Sequence, residues 1–161
     1  MNSIKLLERE NYKEAAEVIR KSFATIAAEL NITKENCPKF VGFVTDEERL
    51  LNHYNMGWLM YGLYLDGKLI GYSSISKESE TEYEIHNLSV LPGYRHNGYG
   101  KMLLTHCIKK AQELGGHKIK ISIIEENTFL KHWYTSCGFK HTGIKKYAHL
   151  SFTSGYMELD V

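Results

Sequence analysis

Hydrophobic positions along the chain follow two spacings, one typical of helices and one typical of strands. Apolar residues recur every three or four positions in three segments, which predicts amphipathic helices over residues 12–30, 99–114 and 127–137. Alternating or continuous apolar runs predict strands over residues 4–7, 58–65, 69–76, 82–90, 118–124, 139–145 and 156–159. The order of these elements indicates one mixed sheet with helices around it, an α/β (α+β) fold.

Turn and cap residues mark where several of these elements begin and end. Asp66-Gly67 is a strong two-residue hairpin signal between two predicted strands. Thr45, followed by Glu48, predicts the start of a further short helix that ends near Tyr54. The polar stretch 31–45 is predicted to be a loop.

Length and charge limit the class of protein. A chain of 161 residues suits one domain over residues 1–161, which should bury roughly 70% of its unfolded surface. Lys and Arg total 20 and Asp and Glu total 19, a net charge of +1 that disfavours a nucleic-acid partner. No apolar run approaches the roughly 20 residues of a membrane span, so no membrane partner is expected.

The cysteines and histidines predict neither disulfides nor a metal site. Cys37, Cys107 and Cys137 form no CxxC pair, which is typical of reduced thiols. The eight histidines show no metal-ligand spacing, so no metal is expected. The first ten residues lack the apolar segment of a secretion signal, so we expect a cytoplasmic protein.

The segment 88–101 carries the strongest chemical signal. A predicted strand runs into a loop with glycines at 93, 98 and 100, and an amphipathic helix follows at once. Unpaired N–H groups and the positive end of the helix dipole make a helix start an anion site. Arg95 and Lys101 add positive charge on either side. We therefore predict a bound pyrophosphate.

Three other interpretations of this loop fit less well. The P-loop pattern would need a lysine where Tyr99 stands, and the dinucleotide pattern would need a third glycine where Leu103 stands. A hairpin turn at Asn97-Gly98 would need a following strand, whereas the residues after Gly98 have a helical period.

Two motifs resemble the GNAT superfamily of N-acetyltransferases. The segment from Arg95 to Gly100 is similar to the family signature (Gln/Arg)-x-x-Gly-x-(Gly/Ala). Asn127, followed by the aromatic segment 133–139, is similar to a second family element. The motifs cover about residues 82–140, and the resemblance implies an acetyl-CoA N-acyltransferase-like fold whose sheet is mostly antiparallel.

The resemblance also implies a ligand and the residues that hold it. The ligand would be acetyl-CoA, and its pantetheine arm would lie where the strand at 82–90 separates from the strand at 118–124. Leu88 and Val90 would line this arm, the Val90 amide would polarise the thioester carbonyl, and Asn127 would contact the arm. Backbone amides would hold the pyrophosphate, from Arg95, His96, Asn97, Gly98, Tyr99, Gly100 and Lys101.

Two side chains are candidates for acid–base catalysis. Tyr134 matches the family position that protonates the CoA sulfur, although it also fits a core tyrosine. Glu84 is a candidate base, although the glutamates near it are typical of a solvated face. Strand alternation predicts that Glu84, His86 and Val90 share one face, which leaves His86 as an alternative base.

We therefore expect a single-domain acetyltransferase that transfers an acetyl group from acetyl-CoA to a primary amine in a ternary complex. Cys137 as an acyl-accepting nucleophile is disfavoured because a free cysteine is commonly a core residue. A non-catalytic acyl-CoA sensor on the same fold is the alternative, since fold alone does not establish chemistry. The acceptor stays open between small-molecule and peptide amines, and the resemblance favours a homodimer.

Overall fold

Seven strands form one sheet in the order β1-β2-β3-β4-β5-β7-β6 in the computed structural model, which describes residues 1–161. All neighbouring strands are antiparallel except β4 and β5, which are parallel. The predicted mixed, mostly antiparallel sheet is therefore confirmed. The strands are β1 (Asn2–Leu6), β2 (Leu59–Leu65), β3 (Lys68–Lys77), β4 (Glu82–Val90), β5 (Lys118–Ile124), β6 (Lys140–Lys146) and β7 (Thr153–Asp160).

Helices cover both faces of the sheet and bury two main clusters of apolar side chains. One cluster joins the first and third helices to β2 and β3, and it includes the small residues Ala15 and Ala16, which let the first helix lie close to the sheet. The other joins the fourth and fifth helices to β3, β4, β5 and β7. Each large apolar side chain buried in this way contributes about 1.5–3 kcal/mol. The helices are α1 (Tyr12–Glu29), α2 (Val41–Val44), α3 (Glu47–Asn55), α4 (Tyr99–Glu113) and α5 (Thr128–Ser136).

The start of α3 differs from the prediction by one residue. Asp46, and not Thr45, is the N-cap, and its side chain accepts a hydrogen bond from the Arg49 N–H at 2.9 Å. Thr45 is buried and donates its hydroxyl to the Val41 carbonyl at 2.7 Å. The threonine therefore closes the one-turn helix α2, inside the stretch predicted to be a loop, and cannot cap α3.

The last strand is longer than predicted because it has a partner on each side. β7 pairs with β5 from Ser154 to Asp160 and with β6 from Thr153 to Glu158. Ladder hydrogen bonds on both edges extend the strand beyond its apolar residues.

No helix is both long enough and apolar enough to cross a membrane.

Candidate active site

A wedge opens between the two parallel strands at the centre of the sheet. β4 and β5 pair only from Glu82 to Glu84, opposite Lys118 to Lys120. β4 continues to Val90 without a β5 partner, so its backbone edge is open over that length. This confirms the strand separation that the family resemblance implies.

A bulge in β4 lies beside this wedge. Asn87 has a φ of +54°, and the register with β3 shifts between the pairs Tyr72–Ser89 and Ser74–His86. One residue of β3 therefore faces two residues of β4 at this point. An extra residue in a strand reverses the alternation of the side chains beyond it.

The bulge makes one prediction about β4 wrong. Glu84 and His86 share a face with Trp58, on whose ring His86 is stacked. Leu88 and Val90 instead pack in a cluster with residues of α4, on the opposite face of the sheet. The shared face expected from strict alternation ends at Asn87, because a single residue in the left-handed conformation shifts the register.

The loop before α4 forms a row of free amides, which we call the amide cradle, from His96 to Lys101. None of these N–H groups donates a hydrogen bond within the protein, and the first α-helical bond beyond them is Met102 N to Gly98 O. His96 and Gly98 have φ values of +64° and +82°, which turn the chain so that successive amides stay exposed. The cradle combines free donors with the positive end of the α4 dipole, the features of an anion site.

The two cations predicted beside the cradle differ in position. Lys101 is exposed and forms no ion pair, so its charge stays available there. The guanidinium of Arg95 instead points inward, where it donates to the Ser22 carbonyl at 2.8 Å and to the Thr25 hydroxyl at 2.9 Å. That Arg95 holds the pyrophosphate stays a prediction. In this structure the amide of Arg95 donates to the Pro92 carbonyl at 3.4 Å, and its guanidinium faces α1 and not the cradle. Its side chain anchors the cradle to α1.

Tyr134 lies on α5, buried against the core. Its ring packs edge-on against Phe139, and its hydroxyl makes no hydrogen bond to another protein group. Burial raises the pKa of Tyr134 well above its usual range, and the nearby Cys107 and Cys137 thiols act in the same direction. The hydroxyl is therefore a proton donor that stays protonated at neutral pH.

Asn127 and Glu125 hold the start of α5. The Asn127 side-chain oxygen caps the helix by accepting from Leu130 N–H at 3.2 Å, whereas its Nδ2 group makes no hydrogen bond within the protein. Glu125 pairs with Lys131 of α5 and with His141 of β6. These contacts position the helix that carries Tyr134.

Glu84 sits where the wedge begins, in the last parallel pair with Lys120. Its side chain is 26% exposed. Burial is the main cause that raises the pKa of this carboxyl to about 7, the negative charge of Glu78 raises it further, and Lys120 opposes the rise. A carboxyl that titrates near neutral pH can both accept and release a proton there, as a general base must.

His86 is held in a stack of three rings. Its ring lies 4.0 Å from that of Trp58, and Trp58 lies 3.9 Å from His53 on its other side, with both pairs nearly parallel. Burial, followed by the charge of His53, lowers the pKa of His86 to about 4. With this pKa the His86 ring is a much weaker proton acceptor than the Glu84 carboxylate, which favours Glu84 over His86 as the base.

A groove of about 280 Å³ runs from Glu84 over β5, β7 and β6. Apart from Glu84, sequence patterns did not single out its polar side chains, because these come from three strands, β5, β6 and β7, whose order is set only by the fold. A larger cavity of about 400 Å³ lies beside α3 and shares no residue with the wedge. The groove is lined by Glu84, Lys120, Ile121, Thr142, Gly143, Ile144, Tyr156, Met157 and Glu158.

The fold also brings together three groups that could hold a metal ion. Glu78, Glu84 and His86 each place one ligand atom within 4.8 Å of the others. Carboxylates and imidazole are the ligands that zinc accepts. The sequence did not show this set because its members come from β4 and the loop after β3. The expectation that no metal binds stays a prediction.

Residues 24–139 match the family described as the acetyltransferase (GNAT) family. This match covers more than half of the chain, so the chain belongs to the GNAT family. The open wedge and the amide cradle both lie within the matched residues.

Two curated relatives have more specific names. The chain is 30% identical over 109 residues to N-alpha-acetyltransferase RimI of Mycobacterium tuberculosis. The aligned segment covers 65% of this chain and 63% of that protein. It is 34% identical over 65 residues to [ribosomal protein bS18]-alanine N-acetyltransferase of Haemophilus ducreyi. That alignment covers 40% of this chain and 45% of the relative. The chain therefore spans about half to just under two thirds of the length of such relatives.

Solved structures share the whole fold. The PaiA N-acetyltransferase of Thermoplasma acidophilum in complex with coenzyme A has a TM-score of 0.84 at 22% identity, covering 100% of this chain and 99% of that chain. The ribosomal-protein-S18-alanine N-acetyltransferase of Escherichia coli has a TM-score of 0.80 at 20% identity, covering 100% of this chain and 94% of that chain. At such identities the likeness establishes the architecture.

Proposed function

We propose that this chain, as one domain over residues 1–161, transfers an acetyl group from acetyl-CoA to a primary amine. One observation carries the proposal: the amide cradle from His96 to Lys101 lies at the wide end of the β4–β5 wedge. A ligand with a diphosphate and a thin, hydrogen-bonding arm fits a cradle next to an open strand edge. Coenzyme A has both parts.

The residues beside the wedge have complementary roles in this proposal. The open edge of β4 at Leu88 and Val90 would pair with the pantetheine arm, as a strand pairs with a neighbour. The free Nδ2 group of Asn127 would donate to the same arm. The Val90 amide would donate to the thioester oxygen as negative charge develops there.

The proposed reaction needs one base and one acid. The carboxylate of Glu84 accepts a proton from the acceptor ammonium, and the neutral amine then attacks the thioester carbon. The Tyr134 hydroxyl donates its proton to the sulfur as the carbon–sulfur bond breaks, and the proton that the attacking nitrogen then loses returns, directly or through water, to the Tyr134 oxygen. The raised pKa of Glu84 supports its role as the base, and the Tyr134 hydroxyl, which makes no hydrogen bond within the protein, would be free to donate to the sulfur.

The groove beside Glu84 is the proposed acceptor site. Its lining carries the carboxyl groups of Glu84 and Glu158 and the ammonium of Lys120, which pairs with Glu82. Glu158 pairs with Lys118, so Glu84 is the carboxyl group of the lining that has no lysine partner and would receive a cationic amine. The named relatives include acetyltransferases for a ribosomal protein alanine and for streptothricin, so both peptide and small-molecule amines belong in the search.

The expected homodimer and the cytoplasmic location stay predictions.

Two glycines provide a matched test of the cradle. Gly98 and Gly67 have φ values of +82° and +83°, and a Cβ at either would meet no atom within 4 Å. Gly98→Glu and Gly67→Glu therefore carry similar backbone strain and the same added charge. We expect only Gly98→Glu to weaken CoA binding, by tenfold or more in isothermal titration calorimetry. Equal CoA affinity in both variants would refute the cradle as the phosphate site.

The activity is tested by thiol release from acetyl-CoA with a panel of amines: an alanine-initiated peptide, spermidine and an aminoglycoside. Amine-dependent release is the expected result, and Glu84→Gln should abolish it. Tight CoA binding without release for any amine would instead favour the acyl-CoA sensor.

A further inference from the structure

The groove beside Glu84 has a single lysine in its lining, and that lysine lies next to the candidate base. Lys120 of β5 and Glu84 of β4 are register partners on neighbouring strands, which lie about 4.8 Å apart. The two side chains form no ion pair with each other. Glu84 instead contacts His86 Nδ1 at 3.0 Å, and Lys120 contacts Glu82 Oε1 at 3.2 Å. A carboxyl group and an ammonium group therefore line the same groove without neutralising each other.

The ammonium of Lys120 keeps capacity for a second anion. It carries three N–H donors, and Glu82 Oε1 occupies one of them. The other oxygen of Glu82 accepts from the Ser79 hydroxyl at 3.4 Å. The Lys120 side chain is 36% exposed, so a group bound in the groove can reach it. Glu158, the second carboxyl group of the lining, is paired with Lys118 at 3.4 Å and does not need Lys120 as a partner.

These neighbouring charges set a condition on the acceptor. A cation that binds at Glu84 lies close to the Lys120 ammonium, and like charges at so short a distance repel each other. A negative group on the acceptor removes this cost, because it pairs with Lys120 while the acceptor ammonium pairs with Glu84. A simple amine or a polyamine brings only positive charge and leaves the repulsion in place. The groove therefore suits a zwitterion.

We propose that the acceptor is an α-amino acid, whose ammonium group binds Glu84 and whose carboxylate binds Lys120. The inference rests on the proposed function of the groove as the acceptor site, and it deepens that function by naming the substrate class. Lys120 is a specificity-determining residue, because it contacts the acceptor away from the reacting nitrogen. Acetyl transfer forms a nitrogen–carbon bond and breaks the carbon–sulfur bond. One ammonium and one thioester give one N-acetyl amino acid, one CoA thiol and one proton.

The size of the groove agrees with a small acceptor. Its volume of about 280 Å³ lies just below the roughly 300–1,000 Å³ of sites that take drug-sized ligands. Gly143 of β6 is the register partner of Tyr156 of β7, and a Cβ at Gly143 would meet no atom within 4 Å. This glycine leaves open space at the β6 side of the groove, where the side chain of an amino acid fits.

Pairs of acceptors that differ only in the carboxylate test the role of Lys120. Free L-alanine, L-leucine and L-phenylalanine are each compared with their carboxamides by thiol release from acetyl-CoA. The ratio of kcat/KM for the acid to that for the amide should fall at least tenfold in Lys120→Met, through a higher KM for the acid alone. Lys120→Arg keeps the charge and should retain most of the ratio. A change in the base itself would alter kcat for both acceptors and cancel in the ratio.

Glu82→Gln is the matched control, because it breaks the same Lys120–Glu82 ion pair and leaves the ammonium in place. It should keep the preference for the carboxylate or increase it. The Kd for acetyl-CoA should be the same in wild type, Lys120→Met and Glu82→Gln, which shows that the variants are folded. Gly143→Leu fills the open space of the groove, so it should raise the KM for the amino acids without changing the Kd for acetyl-CoA.

Four results would contradict this assignment. The ratio of acid to amide could be equal in wild type and Lys120→Met, or it could fall as far in Glu82→Gln as in Lys120→Met. The KM for the amino acids could stay at the wild-type value in Gly143→Leu, or thiol release could occur with peptides or spermidine and with no amino acid. Each of these overturns the amino acid as acceptor and leaves acetyl transfer to an amine standing. A wild-type protein that releases no thiol with any amine would refute both.

Discussion

Replacing Arg95 separates two roles that a cation beside a phosphate site can have. Its guanidinium donates to the Ser22 carbonyl at 2.8 Å, to the Thr25 hydroxyl at 2.9 Å and to the Val90 carbonyl at 3.3 Å. Hydrogen bonds from a charged donor contribute about 1.5–3 kcal/mol each when buried, and less at this half-buried position. We expect Arg95→Ala to lower the free energy of unfolding by about 2–3 kcal/mol, a fall in Tm of roughly 4–12 °C for a domain of this size.

The same variant should weaken CoA binding because the cradle loses its anchor on α1. Arg95→Lys distinguishes anchoring from direct charge, because lysine keeps the charge but cannot form the planar fork. If Arg95 anchors the loop, Arg95→Lys should resemble Arg95→Ala, with a CoA Kd about tenfold or more above wild type in calorimetry. If its charge binds phosphate, Arg95→Lys should keep most of the affinity.

Arg20 provides the control. It also lies on α1, and its guanidinium donates to the Thr45 carbonyl at 2.6 Å, away from the cradle. Arg20→Ala should lose stability but keep its CoA affinity. Wild-type CoA affinity in Arg95→Ala, or full affinity in Arg95→Lys, would refute the anchoring role.

Three further predictions concern other residues. Burial raises the pKa of Glu84 from 4.5 to about 7, so its contribution to stability is complete below pH 4.5 and is lost as the pH rises through 7. Glu84→Gln should therefore be more stable than wild type above that pH, by about 1–3 kcal/mol in denaturant titrations, and a less stable variant would contradict this. Tyr134→Phe should lower kcat roughly ten- to ten-thousand-fold with little change in Tm, since the hydroxyl has no protein partner, and a near-wild-type kcat would remove Tyr134 from the mechanism. Asp46→Ala should lower stability by about 1 kcal/mol through loss of the α3 cap, and an unchanged Tm would show that the cap contributes nothing.

Features encoded by neighbouring residues were predicted well. The helical period after Gly98 predicts α4, which begins at Tyr99 in the structure. The strand, the glycine loop and the helix start predict a row of free N–H groups, which the structure shows from His96 to Lys101, and anion binding there stays a prediction. The helical period predicts a helix that starts at Asn127, and Asn127 is the N-cap of α5 in the structure. These features depend on contacts within a few positions along the chain, which a short sequence window contains.

The sequence by itself determined the elements, their order and the amide cradle, because periodicity, caps and glycines act locally. Only the tertiary structure decided where Arg95 points, since its partners Ser22 and Thr25 lie 73 and 70 positions away. It also decided which residues of β4 face the groove, because the bulge at Asn87 depends on pairing with β3. The raised pKa of Glu84 depends on burial and on charges from other strands and loops, which no local pattern encodes.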